Sequence, residues 1–463
     1  MEYFQRTKIA RILAEPNKPQ ENVIVLGWVR TRRDSPNLSF LEVNDGSSLG
    51  NLQIVIDNAE RFPDLAQVSL GAAVRAKGKL IPVPERPHKI ELHPSELQLL
   101  GACPPDYPLQ KKRHSFEYLR EIAHLRPRTN ALGVMNRFRS KMAFAIHEFF
   151  QERGFYYIHS PIITATDAEG AGEQFWVTAF DLKNVPLKEG RVDFEQDFFG
   201  AQTFLTVSGQ LEGEILASAL GDVYTFGPTF RAENSNTSRL LSEFWMIEPE
   251  MAFCDLDDNM QLAGEFLMFL FNYALDECAE EMKFFNERIE NKRIKTLESL
   301  VKSKFEIVTY ADAISILKKA NKKFEFPVEW GSDLQAEHER YLCEDYVQGP
   351  VMVRDYPRQI KAFYMRLNDD GKTVAAVDVL VPQIGEIIGG SQREERLAEL
   401  KEQVKFFNIN EENIWWYYDL RKYGTVPHAG FGLGFTRMLM YMSGMANIRD
   451  AIPFPRTPRN AKF

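Results

Sequence analysis

Residues 224–253 read YTFGPTFRAENSNTSRLLSEFWMIEPEMAF, and this stretch decides the fold. Two runs rich in aromatic residues flank the turn-forming sequence ENSNTS, a pattern that predicts a β-hairpin. Arg231 and Glu233 are two residues apart and therefore project from one face, while Phe244 lies on the return strand. A guanidinium can bind a phosphate bidentately and an aromatic ring can stack on a base, so the hairpin is a candidate nucleotide site. A solvated hairpin with Phe244 in the core is the alternative.

A second candidate for the same site is GFGLGFTR, at residues 430–437. Glycines at 430, 432 and 434 leave one face of a predicted strand free of side chains, so a flat ligand could lie against the backbone. Arg437 then opens a helix and could cover a base. The spacing is not that of the dinucleotide fingerprint. Tight core packing of a glycine-rich strand is the alternative.

A third segment, residues 136–167, predicts a long amphipathic helix that stops at Gly154 and is followed by a strand that ends at Pro161. Together the three segments resemble the defining motifs of class II aminoacyl-tRNA synthetases. The resemblance of the hairpin lies in FRAE, a loop and then EF, and that of the C-terminal segment lies in GLGFTR. In that family the first motif forms the dimer interface, so the resemblance implies a homodimer with Pro161 near the two-fold axis. A core helix in a monomer is the alternative.

Length and composition indicate a globular protein of two or three domains, because 463 residues with 44% apolar content exceed one compact core. No apolar run reaches the roughly 18 residues that span a bilayer, and the N-terminus is charged where a signal peptide is apolar. We therefore expect no membrane partner and a cytoplasmic location. The four cysteines are scattered and indicate neither a zinc site nor a disulfide framework.

The net charge of −9 is unevenly distributed. Residues 1–130 hold 19 Lys and Arg against 15 Asp and Glu, a charge of +4, whereas the remainder holds 37 against 50, a charge of −13. A polyanion such as RNA would therefore be drawn to the N-terminal part.

Several short predicted strands with turn residues between them occupy residues 22–100 and indicate a small closed barrel. The pattern resembles the five-stranded OB-fold that these synthetases carry before the catalytic domain. The resemblance implies anticodon binding by Arg30, Phe40 and Gln53, in which Phe40 stacks an unpaired base and Gln53 contacts its edge. A core Phe40 and a solvated Gln53 are the alternative.

The predicted fold class is α+β, with an antiparallel catalytic sheet flanked by helices, because hairpins join its strands. We assign residues 1–103 to the OB-fold anticodon-binding domain and the proline-rich residues 104–130 to a hinge or linker. Residues 131–463 form the class II catalytic domain. The resemblance is weakest around residues 255–350, which we interpret as a helical insertion.

Three further segments, 161–175, 205–214 and 377–393, resemble the aspartyl, asparaginyl and lysyl subgroup, and more closely the bacterial-type asparaginyl enzymes. Arg393 matches the arginine that binds the terminal side-chain oxygen of both aspartate and asparagine. Where aspartyl enzymes carry a lysine, this chain has Gly213, and Glu214 follows. Loss of the cation and gain of an acid would favour a neutral amide over a carboxylate. An ordinary acid near a helix N-terminus is the alternative for Glu214.

By the same resemblance, the α-amino group of the amino acid would be held by Glu169 and Gln210, and Ser208 would also line the pocket. For ATP, the resemblance implies that Arg231 neutralises the α-phosphate, Arg437 and Phe244 enclose the adenine, and Glu233 bonds its amino group. The remaining expected ATP ligands are Arg239 at the γ-phosphate and, with Mg2+ bound by the phosphates, Asp378 and Glu386.

The predicted function is ligation through a carbon–oxygen bond: L-asparagine is activated with ATP and transferred to tRNA(Asn). An aspartyl-tRNA synthetase, with or without discrimination between the two tRNAs, is the nearest alternative. An ammonia-dependent asparagine synthetase would leave the N-terminal barrel without a purpose. A non-catalytic RNA-binding paralogue would be free to lose the residues of the ATP site, yet they are present.

Overall fold

The computed structural model describes residues 4–166, 174–234 and 237–463. The chain divides into two compact units, Met1–Val134 and Met135–Phe463. The first unit opens with helix α1, Ile9–Ala14, and contains strands β1 Gln20–Asp34, β2 Ser39–Asn44, β3 Leu52–Ile56, β4 Ala73–Pro82 and β5 Ile90–Gly101. These strands close into a barrel in the order β1-β2-β3-β5-β4, which confirms the predicted five-stranded OB-fold.

The barrel closes because alternate side chains point inward and fill it. Leu41 and Val43 on β2 are fully buried, as are Ile54 on β3 and Leu92 on β5. All neighbouring pairs are antiparallel except β3 and β5, which pair in parallel. After the barrel, residues 104–130 contain helix α2, Phe116–Glu121, and a small apolar cluster around Leu119. Their role as a hinge stays a prediction.

The second unit is built on one large sheet. Its strands in chain order are β6 Tyr156–Ile158, β7 Ile163–Thr164, β8 Trp176–Val177, β9 Leu187–Lys188, β10 Arg191–Val192, β11 Thr203–Leu205, β12 Asp222–Phe230, β13 Glu243–Ala252, β14 Glu306–Thr309, β15 Val351–Pro357, β16 Thr373–Val381, β17 Gly385–Gln392 and β18 His428–Gly434. Eight of them form the sheet, in the order β14-β15-β16-β17-β18-β13-β12-β6.

The sheet is mixed rather than wholly antiparallel. The six central strands, from β15 to β12, pair antiparallel as expected, but the edge strands β14 and β6 pair in parallel with their neighbours. The two strands of each parallel pair are joined by a long connection that contains a helix, Gln210–Leu220 between β6 and β12 and Tyr310–Lys319 between β14 and β15. A crossover of this kind permits parallel pairing, whereas a hairpin does not. The predicted α+β class is confirmed.

Helices cover this sheet. They are α3 Asn130–Glu152, α4 Gln210–Leu220, α5 Leu256–Glu277, α6 Ala279–Arg288, α7 Arg293–Lys302, α8 Tyr310–Lys319, α9 Ala336–Arg340, α10 Leu397–Phe406, α11 Trp415–Lys422 and α12 Phe435–Ser443. A π-helical turn, Tyr341–Tyr346, continues α9. The segment 255–350 thus contributes helices and also the edge strand β14.

Helix α3 follows the periodicity that its sequence predicts. Phe138, Met142, Ile146 and Phe149 recur at spacings of three and four residues and are completely buried. Gly154, at φ +82°, then reverses the chain into β6. The predicted helix, stop and strand are therefore present.

Helix α5 starts where its sequence supplies a cap. The Asp255 carboxylate accepts hydrogen bonds from the backbone N–H groups of Asp257 and Asp258. The helix packs against β16, β17 and β18 and supports the centre of the sheet. Across residues 4–166, 174–234 and 237–463, no helix combines the length and apolar character needed to cross a membrane.

The barrel core can be tested with two leucines of the same strand. Leu92→Ala removes a side chain with no exposure, and we expect it to lower the opening free energy of the barrel by about 2–5 kcal/mol. Leu100→Ala is the control, because Leu100 is 45% exposed. Hydrogen–deuterium exchange of barrel peptides measures both. Equal protection in the two variants would contradict the assignment of Leu92 to the core.

Candidate active site

The predicted hairpin is present, and it brings the candidate nucleotide residues together. β12 and β13 pair antiparallel from Asp222 opposite Met251 to Phe230 opposite Glu243. Arg231 follows β12, and its guanidinium carbon lies 5.4 Å from the centroid of the Phe244 ring, a cation–π distance. The ring is thus held on the sheet beside the arginine.

Glu233 is exposed just beyond β12. It lines a cavity of about 700 Å3, together with Phe230, Glu243, Arg456 and Arg459. This cavity opens beside the hairpin and is large enough for a small organic ligand.

Strand β18 lies between β13 and β17, which explains two of its three glycines. A Cβ on Gly430 would come within 2.3 Å of Glu250 Oε1, and one on Gly432 would come within 2.7 Å of Met246 Cε. A Cβ on Gly434 would meet nothing closer than 3.7 Å. Close packing therefore requires Gly430, whereas a Cβ at Gly434 would make only ordinary contacts.

Positive charge is concentrated beside this strand. Arg437 lies in the first turn of α12, and its buried Nε has no hydrogen-bond partner within the described ranges. Arg239 donates from Nη1 to the carbonyl oxygen of Ile384 at 3.1 Å. Burial, with repulsion from Arg437 and Arg340, lowers the pKa of Arg239. An anion such as a triphosphate would relieve this repulsion.

Asp378 and Glu386 converge on one space, as the sequence predicts for a metal-binding pair. They lie on adjacent strands, and a Cβ placed on Gly389 would be 3.0 Å from Glu386 Oε1 and 3.6 Å from Asp378 Oδ1. Burial and the charge of Asp378 raise the pKa of Glu386. The described residues contain no cluster of three or more His, Cys, Asp or Glu side chains placed to hold a metal. Two carboxylates fit Mg2+, because this ion usually takes its other ligands from substrate phosphates and water.

Two further charged residues join this pair and were not anticipated from the sequence. Lys361 Nζ lies 2.7 and 2.9 Å from the two oxygens of Asp378. Burial opposes the charge on Lys361, but Asp378 and Glu386 outweigh it and raise its pKa. Glu339, from α9, accepts a hydrogen bond from the backbone N–H of Glu386 at 3.1 Å. Burial and the neighbouring Glu386 raise the pKa of Glu339 to about 7.

A second group of charged residues lies deeper, around Arg393. Its guanidinium forms a buried bidentate pair with Glu250, in which Nε donates at 3.1 Å, and Nη1 donates to Ser391 Oγ at 2.7 Å. The carboxylate of Glu250 lies on β13, on the hairpin that carries Phe244. The same hairpin therefore carries residues predicted to bind the nucleotide and also holds Arg393, which is predicted to bind the amino acid.

Glu214 is buried beside this pair. Its oxygens accept hydrogen bonds from Tyr417 at 2.8 Å, from Arg421 at 2.7 Å, from His428 at 2.9 Å and from Gln210 at 3.1 Å. Burial by itself would raise the pKa of Glu214, but Arg421 and His428 outweigh it and hold that pKa well below its ordinary value. The predicted specificity acid is therefore an ionised group inside the protein rather than a helix-terminal surface acid.

Ser208 and its neighbours hold another acid that the sequence did not single out. The Ser208 hydroxyl, the Gly209 N–H and the Thr225 hydroxyl all donate to the carboxylate of Glu248, the last two at 3.0 Å. The Ser208 oxygen also accepts from the backbone N–H of Gln210 at 3.1 Å. Ser208 thus orients Glu248 and the start of α4.

The acids of this pocket repel one another. Burial, together with Glu248 and Glu214, raises the pKa of Glu212. Burial raises the pKa of Glu250 to about 8 against the attraction of Arg393, and Glu214 and Glu248 add repulsion. The pocket is therefore short of positive charge. A ligand ammonium would relieve the repulsion, whereas an additional carboxylate would increase it.

Four of the predicted site residues, Glu169, Arg30, Phe40 and Gln53, do not belong to these two groups. Glu169 lies outside the described residues. On the barrel, Phe40 pairs with Arg33 across the strands, and the Arg33 guanidinium carbon is 5.9 Å from its ring. Phe40 is half-buried on the outer face, so it is not a core residue.

The other two anticodon candidates are less accessible than expected. Gln53 pairs with Glu42 on the same outer face, but only 6% of Gln53 is exposed. Arg30 donates to the carbonyl oxygen of Arg128 and, at 2.8 Å, to Asn130 Oδ1. The anticodon roles of Arg30, Phe40 and Gln53 stay predictions.

Most of the residues that sequence reasoning missed come from segments without a motif. Tyr417, Arg421 and Glu339 lie on helices whose charged and aromatic residues have an ordinary amphipathic pattern. Glu248 and Glu250 sit in the quoted hairpin, where alternate acids on a β-strand were a signal of two inward-facing carboxylates. Only the hairpin acids could have been found from the sequence.

Family comparisons agree with this architecture. The family described as tRNA synthetases class II (D, K and N) matches residues 116–458, and an OB-fold nucleic acid binding domain matches residues 23–100. The fold and the site thus define a class II tRNA synthetase with an N-terminal OB-fold domain.

Comparisons with individual proteins identify the subgroup of class II tRNA synthetases to which the chain belongs. An asparagine–tRNA ligase of Synechocystis sp. is 59% identical over 463 residues, which cover 99% of this chain and 100% of that protein. An asparagine–tRNA ligase of Nostoc sp. is 58% identical and covers 98% and 99% of the two chains. The crystal structure of asparaginyl-tRNA synthetase from Pyrococcus horikoshii complexed with asparaginyl-adenylate is 30% identical, covers 99% of each chain and has a TM-score of 0.85. The chain belongs to the asparagine–tRNA ligase family.

The space that Asp378 and Glu386 face can be tested by filling it. Gly389→Ala would place a methyl group 3.0 Å from Glu386 Oε1. We expect it to weaken binding of ATP with Mg2+ by roughly tenfold or more, because a small displacement of the Glu386 carboxylate or of the bound phosphates disturbs their alignment. Gly227→Ala is the matched control, since a Cβ there meets nothing within 4 Å. Isothermal titration calorimetry measures the affinity. Equal affinities in the two variants would exclude this space as the phosphate site.

Proposed function

We propose that this protein activates L-asparagine with ATP to asparaginyl-adenylate and transfers the asparaginyl group to tRNA(Asn). The observation that carries the proposal is the pairing of two chemically different compartments on one sheet. A cationic region around Arg231, Arg239 and Arg437 suits a nucleotide triphosphate, and an acidic pocket around Glu214 suits an amino acid with a neutral side chain.

Selection of asparagine over aspartate follows from charge rather than shape, because the two amino acids are nearly the same size. Arg393 would donate to the side-chain carbonyl oxygen, as it does to Glu250 and Ser391. The buried acids Glu214 and Glu248 would disfavour a carboxylate in the same place. Since like-charge juxtaposition in a buried site costs several kcal/mol, this arrangement weighs against the aspartyl alternative.

The α-amino group would be held at the acidic side of the pocket. The Gln210 amide nitrogen donates to Glu214, which leaves the carbonyl oxygen of the same amide to accept from an ammonium. Ser208 contributes indirectly through Glu248. Glu169 is proposed as a further partner on the strength of the family motif.

Activation joins the α-carboxylate of asparagine to the α-phosphate of ATP. The nucleophile is already an anion, so no general base is required, and the protein has only to align the reactants and neutralise charge. We assign Arg231 to the α-phosphate, Arg239 to the γ-phosphate, and Phe244 and Arg437 to the two faces of the adenine. Glu233 would accept a hydrogen bond from the adenine amino group.

Asp378 and Glu386 would hold Mg2+, which would supply charge neutralisation at the phosphates. Lys361 already neutralises part of Asp378 at 2.7 Å. This leaves Glu386, whose pKa is raised by burial and by Asp378, as the carboxylate with the most to gain from a cation.

The tRNA would be bound by both units. The first unit carries the excess of positive charge and the outward-facing Phe40, which suit an RNA anticodon with unpaired bases. In the second step a terminal ribose hydroxyl of the tRNA would attack the adenylate carbonyl. The proposed place of action is the cytoplasm, because tRNA charging supplies translation there.

We further propose a homodimer formed through the segment of α3 and β6. Large apolar side chains are exposed there, namely Phe144 at 65%, Tyr156 at 57%, Ile162 at 45% and Ile163 at 40%. An apolar surface of this kind in a water-soluble chain favours burial against a partner.

The function is tested with purified protein by ATP–pyrophosphate exchange and by tRNA charging, each with asparagine and with aspartate. We expect exchange with asparagine to exceed exchange with aspartate by roughly 100-fold or more, in line with a discrimination of several kcal/mol. Charging of tRNA(Asn) should show the same preference. Faster exchange with aspartate would favour the aspartyl alternative, and exchange with neither amino acid would exclude both.

The dimer is tested by light scattering after size-exclusion chromatography. Phe144→Glu would place a charge in the proposed interface, and we expect it to convert a dimer of about twice 53.4 kDa to monomer. Phe253→Glu is the control, because Phe253 is 80% exposed and lies outside that segment. A wild-type monomer, or a Phe144→Glu dimer, would overturn the proposed interface.

A further inference from the structure

The carboxylate of Glu214 is fully occupied before any ligand is present. It accepts from Gln210, Tyr417, Arg421 and His428, at 2.7 to 3.1 Å. A carboxylate offers about four lone-pair directions, so these donors leave none free. Three of the four donors come from α11 and β18, two elements to which the proposed function gives no role in amino-acid selection.

Helix α11 presents two of these donors as one unit. Tyr417 and Arg421 are four residues apart and so lie on the same face of the helix. Arg421 Nη2 donates to the Tyr417 oxygen at 2.8 Å, and its Nε donates to the carbonyl oxygen of Glu394 at 2.8 Å. The guanidinium carbon also lies 3.9 Å from the Tyr417 ring. The pair is therefore rigid where it meets Glu214.

His428 supplies the third polar partner of Glu214. Its Nε2 lies 2.9 Å from Glu214 Oε2, and its Nδ1 lies 2.9 Å from the carbonyl oxygen of Val426. A carboxylate oxygen and a carbonyl oxygen are both acceptors, so the His428 ring is held between two acceptors that fix its orientation.

The residues around Glu214 determine whether its carboxyl group is protonated or ionised. A protonated Glu214 would be an O–H donor and could bind the carboxylate of aspartate. Its proton would need an acceptor, yet Arg421 offers only N–H groups, Gln210 turns its amide nitrogen toward Glu214, and the Tyr417 oxygen already accepts from Arg421 Nη2 at 2.8 Å. The surroundings thus favour the ionised form, in agreement with a pKa held well below the ordinary value.

We infer that Tyr417, Arg421 and His428 are positioning residues for amino-acid specificity, which keep Glu214 charged and fixed so that asparagine is accepted and aspartate is refused. The inference rests on the proposed function and extends it to α11. It also predicts that specificity can be altered by groups that need not contact the amino acid themselves.

The test compares two neighbouring tyrosines of α11. Tyr417→Phe removes one donor to Glu214 and leaves the ring. Tyr418→Phe is the matched control, because the buried Tyr418 hydroxyl has no hydrogen-bond partner among the residues that the structure describes. The readouts are kcat and KM for asparagine, aspartate and ATP in pyrophosphate exchange, with full-length protein.

We expect Tyr417→Phe to reduce the asparagine-to-aspartate ratio of kcat/KM by roughly tenfold or more, as for loss of a hydrogen bond to a charged group, with the KM for ATP unchanged. Tyr418→Phe should leave the ratio within about twofold of wild type, since its hydroxyl makes no bond to lose. A Tyr417→Phe ratio equal to that of the control overturns the inference, as does a uniform loss of rate with both amino acids.

His428→Gln provides a second variant if Tyr417→Phe fails to fold. Its amide offers an N–H to Glu214 without the fixed ring geometry of His428, and we expect the ratio to fall by roughly threefold or more. An unchanged ratio in the folded variant overturns the inference. A wild-type protein that does not prefer asparagine overturns the proposed function instead, so the two failures are distinguishable.

Discussion

The burial of Glu214 as an anion is the constraint on which the site depends. Removal of a carboxylate from water costs several kcal/mol unless good hydrogen bonds and opposite charges replace the solvent. The chain meets this cost with donors from three separate elements: α4, α11 and β18. These elements must therefore be packed together before the pocket can exist, and the specificity of the pocket is coupled to the fold.

The same sheet carries a region with excess positive charge and a region with excess negative charge. On the nucleotide side, Arg239 and Arg437 repel each other, and a bound anion would relieve this repulsion. On the amino-acid side, burial raises the pKa values of Glu212 and Glu250, and repulsion from neighbouring acids adds to the effect. A nucleoside triphosphate bound on one side and an amino acid with its ammonium bound on the other would relieve both. The β12–β13 hairpin carries Arg231 at one end and Glu250 on its second strand, so it connects the two compartments.

Much of this arrangement was predictable because it is local. Turn residues between β-prone runs specified the hairpin, and the spacing of apolar residues specified α3. The parallel edges of the sheet were missed because a parallel pair depends on where a distant helix delivers the chain, which local sequence does not encode. The predicted antiparallel pairing is confirmed for the six central strands.

The site shows the same division. The sequence identified Glu214 and Arg393 as charged groups of the pocket, but their partners lie far away in the chain: Arg421 and His428 are 207 and 214 residues from Glu214. Glu339 reaches Glu386 from a segment that carried no motif. Such pairings form only in the folded chain, and no periodicity or spacing in the sequence predicts them.

The central claim is that charge, and not size, separates asparagine from aspartate. The most direct measurement compares the affinity of two stable adenylate analogues that differ only in a side-chain carboxamide or carboxylate, by calorimetric competition. The account predicts that the carboxamide analogue binds roughly 100-fold or more tightly, because a buried like-charge contact costs several kcal/mol. Equal affinities, or tighter binding of the carboxylate analogue, would contradict it.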